Sequence, residues 1–249
     1  MRDYSEAGSE VRSTAAIHGR RRVYFWPKAF IAGRCFAPMA LLSDLVRSYV
    51  NVVLHPREFF AETPSPTAIE GAAAAVAVAL ATVIATLAMG GLLADLFGSQ
   101  GYPEAASAVW NVIGKFVVFA FVGVFLLWIV AGLVMHVVVA TSTNGGSIGE
   151  TLGVTGYGML PSLLQTFVGI GIAYVHLQSV HLSGGPEAVT AQLQTVFQRR
   201  GPVSMLVNWG FIAWQAAIWV VGLNRVHDIT PARALIGAGV VALGLGLLG

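Results

Sequence analysis

The chain has 249 residues, of which 56% are hydrophobic and only 10% charged, with a formal net charge of +2 and a mean hydropathy of +0.74. Soluble domains carry about 25% charged residues, so this composition describes an integral membrane protein whose first partner is the lipid bilayer. The small net charge argues against nucleic acid, and the single cysteine, Cys35, excludes an intramolecular disulfide and an all-cysteine metal site.

Residues 1 to 38 mix charges, small residues and the aromatic cluster Tyr24-Phe25-Trp26, without the apolar core and cleavage site of a signal peptide. They read as a disordered extension or an over-called start site, so the coherent membrane domain is expected over residues 39–249. The run Arg20-Arg21-Arg22 suits acidic head groups or a solvated tail. From Leu41 to Leu54, the apolar residues Leu42, Leu45, Val46, Tyr49, Val50 and Val53 recur at helical spacing, with Ser43, Asp44, Arg47, Ser48 and Asn51 opposite. This pattern predicts an amphipathic interfacial helix, too short and too charged to cross. Pro56 ends or kinks it. The following His55-Pro56-Arg57-Glu58-Phe59-Phe60 places basic and aromatic groups at interfacial depth. Two uses fit: a surface that docks a partner, with His55, Pro56, Arg57, Phe59 and Phe60 as its contacts, or a lead-in that packs on the bundle.

Five spans follow. Residues 71–94 and 116–149 carry no charge, 24 and 34 residues respectively, and each exceeds the roughly 20 residues that cross a hydrocarbon core of about 30 Å. The spans are placed at 71–94, 116–140, 152–177, 203–223 and 232–248, the last with Arg233 snorkelling from its first turn. Spans of this length are helices, because the bilayer offers no water to unpaired backbone groups. The expected fold is therefore all-α: a polytopic bundle of five transmembrane helices preceded by the interfacial helix. Nine of the 14 Lys and Arg precede the first span, and Arg225 and Arg233 lie between the last two. The positive-inside rule then predicts a cytoplasmic N-terminus and an external C-terminus in the cell (inner) membrane.

The small residues Ala73, Ala77, Ala81 and Ala85 in span one, and Ala234, Ala238, Ala242 and Gly246 in span five, stand at every fourth position. Such ladders let helix backbones approach closely, either within the bundle or in a homo-oligomer. Ionisable groups are missing from the middle of every span, where they would mark a transport or catalytic path. The polar residues that do occur there are Gln165 in span three and Asn208 and Gln215 in span four. Interhelical hydrogen bonds explain them, and a polar solute path is the alternative. The six histidines show no metal-ligand spacing, and no nucleophile elbow or phosphate loop is present. The expectation is no enzyme, no catalytic or metal site, and no cofactor.

The segment from Gly145 to Pro161 is the most specific stretch of the chain. Gly145 and Gly146 form a turn, Ser147 caps a helix with Glu150 reaching back three residues later, and Tyr157 and Pro161 follow. The proline removes a backbone donor and kinks the span. Gly146, Ser147 and Pro161 are thus structural, while Glu150 and Tyr157 are a cap and an interfacial ring that are also candidates for partner contact.

This segment resembles the signature of the Yip-one family (Ypt/Rab-interacting, Yip-domain) of five-pass membrane proteins. His55 to Phe60 is similar to that family's pre-membrane element, and Trp219 to His227 with Ala232 to Leu235 is similar to the end of its fourth span and the start of its fifth. The resemblance runs from about Met39 to Gly249 and is nearest to the compact prokaryotic, especially archaeal, forms. It implies a membrane scaffold or adaptor concerned with membrane organisation or trafficking. The eukaryotic members bind prenylated Rab-type GTPases through a long cytoplasmic N-terminal domain that has no counterpart in these first 60 residues. The rival expectation is a small-solute permease built around Gln165, Asn208 and Gln215.

Overall fold

The computed structural model describes residues 38–63, 65–140, 145–198 and 201–248. The expectations for the N-terminal tail, with its Arg20-Arg21-Arg22 run and Cys35, lie outside them, as do those for the side chains of Leu42 and Leu45. Among the described residues the chain forms α1 (Pro38–Leu54), α2 (Pro56–Glu62), α3 (Ala68–Ser99), α4 (Pro103–Ala140), α5 (Ile148–Gly158), α6 (Pro161–Gln178), α7 (Pro186–Gln198), α8 (Pro202–His227) and α9 (Pro231–Leu248). Seven of these nine open on proline, whose missing N–H costs nothing in a first turn that has no acceptor for it. The two exceptions, α3 and α5, open on capping boxes and pack against each other.

Four apolar helices are long enough to cross a bilayer: α3, α4, α5 with α6 as one 31-residue rod, and α8, with α9 a shorter apolar fifth. At 18 residues, α9 reaches about 27 Å, close to a core of about 30 Å. The expected spans fall inside these helices, but their edges shift. Span two was placed at 116–140, whereas α4 begins at Pro103, and its 38 residues reach about 57 Å, so part of it stands outside the hydrocarbon. Hydropathy marks what the bilayer accepts, not where a helix stops; Lys115, exposed on α4, ended the first and not the second. An additional helix, α7, occupies the connection between spans three and four.

The bundle closes as a ring in which α3 packs on α4, α4 on α9, α9 on α8, and α8 on α5 and α6, which return to α3. The α3–α4 hairpin turns through a Schellman close, with Tyr102 N–H donating to Phe97 O at 2.9 Å and Gly101 N–H to Gly98 O at 3.3 Å. The small-residue seam of α3 is not the expected one. Gly71, Ala75 and Ala79 are buried while Ala77 is exposed, so the seam lies on the opposite side of the helix, where α5 approaches. In α9 the expected residues Ala234, Ala238 and Ala242 are buried. The main core gathers at the end of the bundle that carries α2: Val52, Phe60, Met135, Val154, Tyr157, Ile218, Trp219 and Leu223.

Candidate functional site

The features singled out by sequence converge at this α2 end. Ser147 Oγ accepts from Glu150 N–H at 3.2 Å, and Glu150 Oε2 accepts from Ser147 N–H at 2.7 Å, completing the expected box. Gly146 sits at φ +74°, and a Cβ there would meet the His227 ring at 2.4 Å, so both backbone and space demand glycine. Pro161 breaks the third span as expected. Tyr157 O, which the missing proline N–H would have served, accepts instead from Leu160 N–H at 3.1 Å, and Ser162 N–H turns to Met159 O at 2.9 Å. The junction is thus one tightened turn that keeps its backbone groups paired.

A second capping box, with its own Thr-x-x-Glu signal, opens α3: Thr67 N–H donates to Glu70 Oε2 at 2.8 Å, and Glu70 N–H to Thr67 Oγ1 at 3.3 Å. The two capped N-termini lie side by side. A Cβ on Gly71 would stand 2.3 Å from Leu152 O, and one on Gly156 would stand 2.2 Å from Gly71 O. Backbone therefore touches backbone along the α3–α5 crossing, which is how membrane helices gain contact where lipid competes for larger side chains.

Of the residues expected to meet a partner, three are interior. Phe59, Phe60 and Tyr157 are 6%, 1% and 0% exposed. Their rings meet edge to face, with Phe59 and Phe60 5.0 and 6.2 Å from Tyr157. Tyr157 thus lies in the core and not at the interfacial surface. Its ring and the two phenylalanines fasten α2 to the bundle, assisted by Trp214 Nε1, which donates to Val53 O at 2.9 Å at the end of α1. His55 and Arg57 remain exposed, Pro56 is half-buried, and Glu150 is half-buried with its carboxylate engaged in the cap. The apolar arc of α1 divides: Val52 and Val53 are buried, while Val46, Val50 and Leu54 point outward at one-turn spacing.

His136, near the end of α4, is part of a polar chain. Its Nδ1 lies 3.0 Å from Thr151 Oγ1, which lies 2.8 Å from His227 Nε2, and His227 Nδ1 is 3.0 Å from Gly145 O. A carbonyl can only accept, so Nδ1 of His227 carries the proton. The Thr151 hydroxyl also lies 3.2 Å from Ser147 O, so its single proton is shared between that carbonyl and the Nε2 of a neutral His227. Four helix ends or turns are joined by this chain. No spacing rule finds it, since His136 and His227 are far apart in sequence and meet through a threonine.

The three polar span residues sit differently. Gln165 Nε2 donates to Asn208 Oδ1 at 2.9 Å, joining α6 to α8, and Gln215 is 5% exposed within the bundle. Two grooves lie elsewhere. One, of about 440 Å³, is bounded by Arg57 and Ala61 of α2, Val220, Val221 and Arg225 of α8, and Pro231 of α9. The other, of about 420 Å³ at the far end, is lined by Asp95, Gln100, Tyr174 and His181 among others. Among the described residues no three His, Cys, Asp or Glu side chains cluster as a metal site.

Neither a curated protein nor a solved structure matches the chain. The family model described as the Yip1 domain matches residues 50–249, which takes in α2, both capping boxes, the histidine–threonine chain and all the apolar helices. The protein therefore belongs to the Yip1-domain family of membrane proteins.

Proposed function

We propose that this Yip1-domain protein is a non-enzymatic scaffold or adaptor of the cell membrane, with its N-terminus cytoplasmic, its C-terminus external, and the α2 end as its cytoplasmic working surface. One observation carries this reading: α2 is anchored by buried Phe59 and Phe60 while His55, Arg57 and Glu58 are left exposed. A short charged helix held rigidly on a bundle contributes little to crossing the membrane, and it presents a pre-organised surface to a protein partner or a second copy. The outward apolar stripe of Val46, Val50 and Leu54 is suited to the acyl boundary and keeps that surface at the bilayer. Against a solute permease stands the Gln165–Asn208 bond, in which the two amides answer each other, and neither groove is lined by Gln165, Asn208 or Gln215.

A photo-crosslinking residue at His55 or Glu58, compared with Gln178 at the far end, tests the reading in native membranes. The expected result is one recurring adduct from the α2 positions and none from Gln178. Indistinguishable patterns at the two ends would remove the adaptor reading. Loss of cellular function in Asn208→Leu with Gln215→Leu, at normal expression, would favour the permease instead.

A further inference from the structure

We propose that the groove between α2, the last turns of α8 and the start of α9 is a binding site for one anionic phospholipid, its phosphate held between Arg57 and Arg225. The two arginines come from helices distant in sequence and line one concavity, and no carboxylate is among its lining residues. Neither has a hydrogen-bond or ion-pair partner among the described residues. Two unpaired arginines are suited to a phosphate, which accepts two parallel N–H bonds from a guanidinium fork. On α2, Arg57 and Ala61 are one turn apart and face the groove, whereas Glu58 and Glu62 are exposed and outside its lining. The acidic edge of α2 therefore leaves the groove basic.

The rest of the lining selects a lipid over a free anion. Phe60, Val220 and Val221 add apolar surface to the same lining, which a phosphate ion cannot use and an acyl chain can. The groove also lies where α8 ends and α9 begins, at the boundary of two apolar helices, so a lipid head group is the ligand its position suits. The positive N-terminal end of α9 adds to the same field. A lining with two cations and no carboxylate favours a head group of net negative charge over a zwitterionic one. The volume of about 440 Å³ falls within the roughly 300–1,000 Å³ of small-molecule sites. This site requires no protein partner, so it stands or falls separately from the adaptor role.

Native mass spectrometry of the full-length protein in detergent, titrated with dioleoyl phosphatidylglycerol, dioleoyl phosphatidylcholine or inorganic phosphate, tests the assignment. One phosphatidylglycerol should be retained in preference to phosphatidylcholine. Arg57→Gln with Arg225→Gln should weaken it on the order of 30-fold, at about 1 kcal/mol per interfacial cation. Ala61→Trp, which fills the groove and keeps both charges, should also expel the lipid, and Arg233→Gln, a cation outside the lining, should leave it bound. Tryptophan emission and monodispersity establish that each variant is folded. Equal retention of the two lipids, unchanged binding in both groove variants, equal loss in Arg233→Gln, or displacement by millimolar inorganic phosphate would each overturn the proposal.

Discussion

The third span divides at Pro161 into two halves, continuous in the chain and unlike in burial. In α5, every residue from Gly153 to Gly158 is buried, whereas in α6 beyond Pro161 only Leu177 is. Both halves contain glycine, threonine and apolar residues, so composition does not separate them. Their surroundings do: among the described residues α5 packs on α3, α4 and α8 and touches α1, while α6 has α3 and α8 as its main neighbours. Identical residue types therefore carry different weight a few turns apart. A glycine, a threonine or an amide in this span matters in proportion to what stands opposite it.

The largest test of that contrast is a single added methyl group. Gly156→Ala drives a Cβ to 2.2 Å from Gly71 O, whereas a Cβ on Gly169 or Gly171 meets nothing within 4 Å. Gly156→Ala should cost about 3 kcal/mol or more, because backbone cannot rotate aside as a side chain can. Gly169→Ala should be neutral or stabilise by about 0.5–1 kcal/mol. Unfolding by SDS titration in mixed micelles reads both, and similar losses at the two positions would dissolve the distinction.

Threonine gives the next largest difference. Thr151→Val removes the hydroxyl between His136 and His227, leaving the fully buried His227 without its Nε2 partner, at a cost of about 1–3 kcal/mol. Thr166→Val removes a hydroxyl that only returns to Ser162 O within its own helix, and should change stability by less than about 0.5 kcal/mol. The Thr151 variant should also perturb the imidazole NMR resonances of both histidines, a readout that simple loss of packing would not move selectively.

Caps and amides sharpen the comparison at smaller scale. Ser147→Ala deletes the α5 cap seen in the Ser147–Glu150 pair and should lower stability by about 1 kcal/mol. For Gln165 and Asn208, a double-mutant cycle with leucine should give a coupling of about 0.6 kcal/mol, the average for interhelical bonds in bilayers. A coupling near zero would mean that the two amides are held for some purpose other than packing.

Much of the cap and turn chemistry was legible because it is local. Ser147, Glu150, Gly146 and Pro161 do what a few neighbouring residues require of them. The second box, Thr67 with Glu70, carries an equally local signal. The partner-contact set was readable as a motif but not as a surface: Phe59, Phe60 and Tyr157 are interior, and only the burial of α2 against α5 and α8 separates them from exposed His55 and Arg57. The α3 seam failed for the same reason. An alanine-rich helix offers several small-residue faces, and its partner alone selects Gly71, Ala75 and Ala79.

The sequence by itself determined that this is a multi-pass helical membrane protein of the Yip1-domain family, where its apolar spans lie, and where its third span breaks. Those properties rest on summed hydropathy and on hydrogen bonds that close within one turn, so a linear reading reaches them. Tertiary structure decided which glycines bear contact, how His136 meets His227 across Thr151, and that Arg57 and Arg225 share one groove. Each of these depends on which faces of separate helices meet, and inside a bilayer apolar side chains are nearly as content with lipid as with one another. Close backbone approach and a few buried polar bonds choose the packing there, and neither is visible until the helices are placed together.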